Sequence, residues 1–173
     1  FMKNYKLDGN IGEWELPYTM NKILGTPTNY ARFGLRWDET YLYAAIDVED
    51  DILSDSASAV YRNDTVEIYL DGNNSKSAPY DEFDKQYMYQ WGRKNTGTTE
   101  YEFAKTENGY SMEMKIPWAN INTSAAAESL IGFDIDVCDN DGTDGTRKGV
   151  IIFKGDENNF KDTSKFATLR LVK

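Results

Sequence analysis

Short runs of alternating polar and apolar residues recur along most of this chain and are separated by turn-forming Gly, Asn and Asp. The clearest run spans residues 64–70, where β-branched and aromatic residues alternate with polar ones as in a strand with one buried face. No helical repeat of apolar residues competes with this pattern. About ten such runs predict an all-β fold, an antiparallel β-sandwich of jelly-roll type.

The composition agrees with a single aromatic-rich β-domain. The chain holds four Trp, twelve Tyr and eight Phe, whereas an all-helical domain would usually carry more Leu and Ala. Its 173 residues are enough for one well-filled core, and no linker-like stretch divides them. We therefore predict one domain over 1–173.

Charge and missing residue types exclude several classes of protein. The formal net charge of −10 argues against nucleic acid and anionic membranes as partners and leaves calcium and neutral ligands open. The absence of histidine excludes the common catalytic triads and imidazole ligation of metals. Because Cys138 is the single cysteine, an intrachain disulfide is excluded as well. No apolar run approaches the roughly 20 residues of a membrane span.

The first thirty residues carry weaker signals than the rest. Residues 4–16 predict a short strand and a turn at Asp8-Gly9, after which Trp14 returns to cover the core. Residues 17–30 contain two prolines and little periodicity, which predicts a largely irregular connection.

Two hairpins are predicted from turn signals, one around residues 38–40 and one around Asn108-Gly109. One or two helical turns are expected within 116–121 and 125–130. In chain order, strands are predicted at 31–37, 41–49, 64–70, 85–91, 99–106, 109–116, 131–137, 149–153 and 167–172.

The strand at 64–70 lies between two features typical of a binding site. Tyr61, an aromatic residue that we expect at the surface, comes just before it. The oxygen-bearing residues Asp71, Asn73 and Asn74 come just after it. The pattern indicates a binding site on a β-scaffold.

The run at 85–91 alternates strictly, so its two faces differ. Three aromatic residues share the face that we assign to the core. The other face carries Gln86, Met88 and Gln90 and is free for a ligand.

Six motifs in one order extend this pattern through nearly the whole chain. They are L-D-G-x-x-x-E-W at 7–14, L-R-W-D-E-T-Y-L-Y at 35–43, N-D-T-V-E-I-Y-L-D at 63–71, G-Y-S-M-E-M-K-I-P-W at 109–118, I-G-F-D-I-D-V at 131–137 and D-T-S-K-F-A-T-L-R-L at 162–171. With these motifs the chain resembles the family 9 carbohydrate-binding modules, appendages of xylanases and other polysaccharide-degrading enzymes.

The resemblance implies a non-catalytic β-sandwich, stabilised by calcium, that grips a sugar of cellulose, xylan or a derived oligosaccharide between two aromatic side chains. It further implies a secreted, extracellular protein in which an attached glycoside hydrolase is targeted to the polysaccharide. The best-known members bind the reducing ends of the polysaccharide chains.

The family's aromatic positions fall on Tyr61 and Phe160, both smaller than the tryptophans of the best-known members. Met88 stands where we expect an arginine in reducing-end binders, so binding to chain ends and to chain interiors both stay open. The positions that bond sugar hydroxyls fall on Glu67, Gln86 and Asn158 or Asn159.

A metal site is predicted at the loop after the strand at 64–70. Asp71, Asn73 and Asp84 offer hard oxygen ligands, and backbone carbonyls can complete a calcium shell of roughly 6 to 8 oxygens. Asp50 is a further candidate because it opens a loop expected to pass nearby. The alternative is a solvated acidic turn. The segment D-N-D-G-T-D-G at 139–145 is not counted as an EF-hand, since it lacks the glutamate at the twelfth position.

Other functions fit the residues less well. A structural or protein-interaction β-sandwich without a working sugar site is the main alternative. A glycosidase needs a pair of carboxylates across the scissile bond, and acids such as Glu67 and Asp136 are abundant without evident pairing. A haem site is opposed by the lack of histidine, although Met88 offers one axial ligand.

Overall fold

Two antiparallel β-sheets face each other in the computed structural model, which describes residues 5–93, 97–142 and 144–172. Sheet I has the order β1-β3-β4-β8-β7, and sheet II has the order β2-β10-β9-β5-β6, with β11 also paired to β9. The strands are β1 Tyr18–Thr19, β2 Lys22–Gly25, β3 Tyr30–Trp37, β4 Tyr41–Glu49, β5 Thr65–Asp71, β6 Asp84–Gln90, β7 Glu100–Lys105, β8 Gly109–Pro117, β9 Leu130–Asp139, β10 Gly149–Ile152 and β11 Ala167–Arg170.

The core lies between the sheets because alternate residues of each strand point inward. On sheet II the inward side chains of β5 and β9 pair across the strands, as Val66 does with Val137 and Ile68 with Ile135. Phe33 of sheet I packs at a tilted angle against Phe133 of sheet II, with the two ring centroids 5.7 Å apart. This arrangement confirms the predicted antiparallel β-sandwich.

Most strands lie where the sequence predicts them. Both predicted hairpins form, as β3–β4 and β7–β8. On β6, Tyr89 is buried in the core while Met88 is 44% exposed, which confirms which side of the strand faces the core. Gln90 is not free for a ligand as predicted, because it is buried and its Oε1 accepts from Asn63 Nδ2 over 3.0 Å. Of the one or two helical turns expected, one forms, as the 3₁₀ turn Trp118–Ile121, and the described residues 125–130 contain none.

The predictions for the first thirty residues are wrong in two places. Described residues 5–16 contain no strand, and the stretch 17–30 is not an irregular connection because it holds β1, β2 and the start of β3. The strand β2 pairs with β10, whose residues come much later in the chain, so local periodicity does not reveal it.

Trp14 is buried, but on the outer face of sheet I rather than in the main core. It packs against Tyr43 and Ala45, and its indole Nε1 donates to Glu113 Oε1 over 2.8 Å. The second carboxylate oxygen of Glu113 accepts the backbone N–H of Gly9 over 3.0 Å. The segment before β1 is therefore anchored on sheet I, opposite to sheet II. No helix among the described residues is long and apolar enough to cross a membrane.

Candidate functional site

The outer face of sheet II carries polar side chains where its inner face carries the core. Glu67 on β5 lies between two cross-strand partners, Met88 on β6 and Asp136 on β9. Because these side chains point away from the core, they form one continuous surface together with the neighbouring Gln86. We call these four residues the site floor.

Hydrogen bonds connect the polar members of the site floor. Gln86 Nε2 donates to Glu67 Oε2 over 2.7 Å. The hydroxyl of Tyr69 lies 2.6 Å from the same Oε2 and 3.0 Å from Asp136 Oδ2. Both carboxyl groups are shielded from water, with Glu67 3% and Asp136 6% exposed. The floor is therefore a preorganised set of hydrogen-bond acceptors with two adjacent acids.

The two acids cannot both be satisfied as carboxylates by Tyr69, since a hydroxyl donates a single proton. Burial raises the pKa of Asp136 well above its ordinary value, and the neighbouring charge of Glu67 raises it further. Asp136 therefore keeps its proton to a higher pH than an ordinary aspartate. Asp136 Oδ1 is buried and has no hydrogen-bond partner.

Tyr61 is held beside the site floor by Arg147. Tyr61 is 45% exposed and lies in the 3₁₀ turn Val60–Arg62, which comes directly after Ala59. Arg147 Nη1 donates to the carbonyl oxygen of Tyr61 over 3.3 Å and to Cys138 Sγ over 3.4 Å. Cys138 is two residues from Asp136 on the same face of β9, so Arg147 ties this aromatic residue to the floor.

Phe160 is held at the other end of the same strand. Its neighbour Asn159 donates from Nδ2 to Asp134 Oδ2 over 2.8 Å, and Tyr80 donates its hydroxyl to the carbonyl oxygen of Asn159. Gly155 also contacts Asn159 and Asp134 so closely that a Cβ atom there would collide with both. Phe160 itself is 54% exposed.

The two aromatic residues are thus anchored at Cys138 and Asp134, with Asp136 between them. Four residues of a strand span about 13 Å, which is the separation of these two anchors along β9. The structure brings Tyr61, Phe160, Glu67 and Gln86 to this face. It buries Asn159 as an anchor of the loop, so that Asn158, half-buried, is the asparagine at the rim. Sequence reasoning did not include Asp136, Tyr69 and Arg147 in the site, although the period of β9 places Asp136 on the outer face.

The four predicted metal ligands separate into two places. Asp71 and Asp84 are cross-strand partners, but Asp71 accepts the backbone N–H groups of Ser75 and Lys76, each over 3.0 Å. Asn73 turns its amide toward Asp81 and its Oδ1 toward the N–H of Ser75. Burial raises the pKa of Asp84 to about 6, and its Oδ1 has no partner.

Asp50 lies at the opposite end of β5, with two acids of the 139–145 segment. Asp50, Asp139 and Asp141 each offer an oxygen, and these oxygens lie within 4.8 Å of one another. Asp50 Oδ2 and Asp139 Oδ1 are buried and have no hydrogen-bond partner. Burial raises the pKa of Asp50 to about 6. Three hard oxygen donors, two of them with unmet hydrogen-bonding capacity, fit a divalent cation such as calcium.

Glu67, Asp136 and Cys138 also place ligand atoms within 4.8 Å of one another. These atoms belong to the sugar-facing surface, and the guanidinium of Arg147 already contacts the sulfur of Cys138. With the sulfur engaged by Arg147, only the two carboxyl groups of this set remain as ligands, fewer than a divalent cation usually takes from a protein.

Comparison with known proteins identifies the family of this arrangement. The family described as carbohydrate family 9 binding domain-like matches residues 13–173. The chain belongs to this family. Membership confirms the resemblance, five of whose six motifs lie wholly within the matched residues, and the expectation of a carbohydrate-binding module that is not itself an enzyme.

Relatives of this family 9 chain are parts of larger enzymes. Endo-1,4-beta-xylanase C of Paenibacillus barcinonensis is 32% identical over 88% of the chain, and exoglucanase XynX of Acetivibrio thermocellus is 33% identical over 96%. The chain spans 14% and 16% of the lengths of these two proteins.

A solved family 9 module from Caldicellulosiruptor kristjanssonii, in complex with cellotriose, has the same fold. Its TM-score to this chain is 0.87 at 24% identity, covering 96% of this chain and 89% of that one. A family 9 module from the same organism in complex with glucose gives a TM-score of 0.86.

Proposed function

We propose that this module binds a sugar unit of a cellulose-type or xylan-type chain over the site floor, stacked between Tyr61 and Phe160. The observation that carries the proposal is the pair of exposed aromatic residues anchored at either end of a buried polar floor. Pyranose rings present apolar C–H faces and a rim of hydroxyls, so they need flat aromatic surfaces and planar polar groups together. Cellotriose and glucose in the related modules support this ligand class.

The polar floor contributes orientation in this proposal. Gln86 has an amide oxygen left for a sugar hydroxyl while its Nε2 is bonded to Glu67. Asn158 offers a second amide at the rim beside Phe160. Fixed acceptors and donors of this kind select the arrangement of hydroxyls, while the aromatic faces supply most of the contact area.

Calorimetric titration with glucose, cellobiose and xylobiose tests the proposal. We expect binding of at least one disaccharide, and an affinity loss of at least about 10-fold for Tyr61→Ala, equal to about 1.4 kcal/mol. The control is Tyr30→Ala, which removes a tyrosine of similar exposure, 43% against 45%, outside the site. Borohydride-reduced disaccharides show whether the site binds reducing ends. A site specific for reducing ends does not bind the reduced sugars, because reduction opens the terminal ring.

Two results would contradict the proposal. If no sugar of the panel binds to a folded protein, or if Tyr61→Ala binds as well as the parent, the face does not act as a sugar clamp. The structural or protein-interaction alternative would then be favoured.

We further propose that the attached partner is a secreted glycoside hydrolase. The relatives named above are a xylanase and an exoglucanase of which this chain matches a small part, and plant polysaccharides are too large to enter cells. A xylanase fused to this chain should release more sugar from insoluble xylan than the same fusion carrying Tyr61→Ala. Equal release from both would argue against targeting.

We also propose a calcium ion at Asp50, Asp139 and Asp141. The support is the two buried carboxylate oxygens without partners and the short separation of the three donors. Such an ion would join the loop after β4 to the end of β9 and supply charge compensation there. Asp71 and Asp84 remain candidates for a second ion, supported by the unpartnered Oδ1 of Asp84.

A further inference from the structure

We propose, on the basis of the sugar site described above, that this site prefers a sugar carrying an ammonium group to its neutral counterpart. Glucosamine units, as in a deacetylated chitin-type chain, are then bound more tightly than glucose units. The ammonium group lies against the Glu67 and Asp136 side of the site floor.

The first support is negative charge that no ion pair offsets among the described residues. Glu67 and Asp136 are adjacent across strands β5 and β9, and Asp134 follows on the same face of β9. The charge of Arg147 opposes part of the rise in the pKa of Asp136, but Arg147 makes no ion pair within 4.0 Å of Glu67 or Asp136. Its Nη1 bonds the Tyr61 carbonyl and the Cys138 sulfur instead. Attraction for a ligand cation is strong here because the acids are shielded from water.

The second support is the supply of hydrogen-bond donors. Glu67 Oε2 receives the amide of Gln86 and lies 2.6 Å from the hydroxyl of Tyr69. The only donor that the structure describes near Asp136 Oδ2 is the same Tyr69 hydroxyl, and Asp136 Oδ1 has no donor. A sugar hydroxyl brings one donor and no charge, whereas an ammonium group brings three donors and a positive charge. The ammonium matches what this acid lacks.

The third support is the other side of Glu67, where the cross-strand partner that the structure describes carries no positive charge. The cross-strand partner there is Met88, which is 44% exposed and uncharged. Glucosamine has the ring shape and stereochemistry of glucose and carries an amino group in place of one hydroxyl. A site that accepts the glucose ring therefore also accepts the glucosamine ring. N-acetylglucosamine has the same nitrogen without the charge and is therefore the matched neutral control.

The raised pKa of Asp136 gives the proposal a second measurable consequence. An ammonium group placed against Asp136 favours its carboxylate form, so that binding releases the proton of this acid to solvent. Binding of glucose leaves the proton in place. Proton release is measured by repeating the titration in buffers of different ionisation enthalpy.

The experiment is calorimetric titration of the whole chain with glucose, glucosamine and N-acetylglucosamine at about pH 6.5, where an amine with a pKa of about 7.7 is protonated. We expect glucosamine to bind at least about 5-fold more tightly than glucose, with proton release, and N-acetylglucosamine to show neither effect. Asp136→Asn should bring the affinities for glucosamine and glucose together. Asp47→Asn, on sheet I and paired with Arg32, should leave the preference unchanged.

Three outcomes separate failure of this proposal from failure of the sugar site. Equal or weaker binding of glucosamine than of glucose overturns the amino-sugar preference and leaves the proposed function intact. A preference that survives in a folded Asp136→Asn variant overturns the assignment to the floor. Absence of binding for all three sugars counts against the proposed function itself. If Asp136→Asn does not fold, Glu67→Gln removes the neighbouring charge and must reduce the preference instead.

Discussion

Asn159 donates from Nδ2 to Asp134 Oδ2 over 2.8 Å, and this bond joins the loop that carries Phe160 to strand β9. Asn159 is 2% and Asp134 0% exposed, so water cannot replace the bond. The aromatic residue at one end of the site therefore depends on a buried contact made by its neighbour.

Loss of that contact should destabilise the protein measurably. For Asn159→Ala we expect the free energy of unfolding to fall by about 1–3 kcal/mol, because a buried carboxylate loses a donor. Asn158→Ala removes the same amide from the half-buried rim and should change stability by less than about 0.5 kcal/mol. Denaturant unfolding of both variants measures the difference, and equal stabilities would contradict the anchoring role.

A larger aromatic face at Phe160 should strengthen sugar binding. Phe160→Trp adds stacking surface at a position that is 54% exposed, and stacking of about 0.5–1.5 kcal/mol predicts a gain of about 2- to 10-fold in affinity for cellobiose. Titration of the variant beside Tyr30→Trp, a comparable enlargement outside the site, measures the gain. An unchanged affinity would place Phe160 outside the ligand contact.

Removal of calcium should lower the melting temperature. With the proposed ion at Asp50, Asp139 and Asp141, millimolar calcium stabilises the folded state by mass action, and a chelator reverses the effect. Asp139→Asn should abolish most of the shift, whereas Asp144→Asn, an exposed acid of the same segment, should not. A shift that persists in Asp139→Asn but disappears in Asp84→Asn would move the ion to the loop after β5.

The chelated protein should become less stable as the pH rises from about 4 to about 7. Burial raises the pKa of Asp50 to about 6 and that of Asp64 to about 7, both above the ordinary value of 3.8. Over this window the folded state binds more protons than the unfolded state, so its stability is greatest below the unfolded pKa and is lost through the folded one. Calcium should remove this loss, because the ion replaces the protons. Melting curves across the window, with and without calcium, measure both effects.

Glu113 should be essential for the anchored segment before β1 and irrelevant to sugar binding. It is fully buried and accepts from Trp14 Nε1, from the Tyr5 hydroxyl and from the backbone N–H groups of Asp8 and Gly9. We expect Glu113→Ala to cost more than about 3 kcal/mol, since four donors lose their acceptor. Glu102→Gln changes its exposed cross-strand partner and should be nearly neutral. A stable Glu113→Ala variant would show that the segment is held by other contacts.

Features that depend on neighbours in sequence were predictable. The hairpin of β3 and β4 needs only two alternating runs and a short loop, and its register follows from the turn. The face of β6 that carries Gln86 and Met88 follows from the period of a strand. The family was recognisable for the same reason, since its motifs are local segments in a constant order.

Features that depend on pairing between distant parts of the chain were not predictable from the sequence. The strand β2 was missed because its partner β10 lies far along the chain, and the strand expected before Trp14 is absent because Glu113 on β8 holds that segment without a ladder. Asp50 was placed with the wrong loop because nothing local reports that the ends of β4 and β9 meet.

The sequence by itself determined that this chain is an antiparallel β-sandwich of family 9, with Glu67 and Gln86 on an outward face and aromatic residues at its borders. These properties follow from the alternation of polar and apolar residues, the turn residues and the order of the motifs, all of which can be recognised in short stretches of sequence. Only the tertiary structure decided that Asp136 and Arg147 join that face and that Asn159 is an anchor rather than a rim residue. Strand pairing brings together residues from distant parts of the chain, and burial then sets which of their polar atoms can still form a hydrogen bond with a ligand.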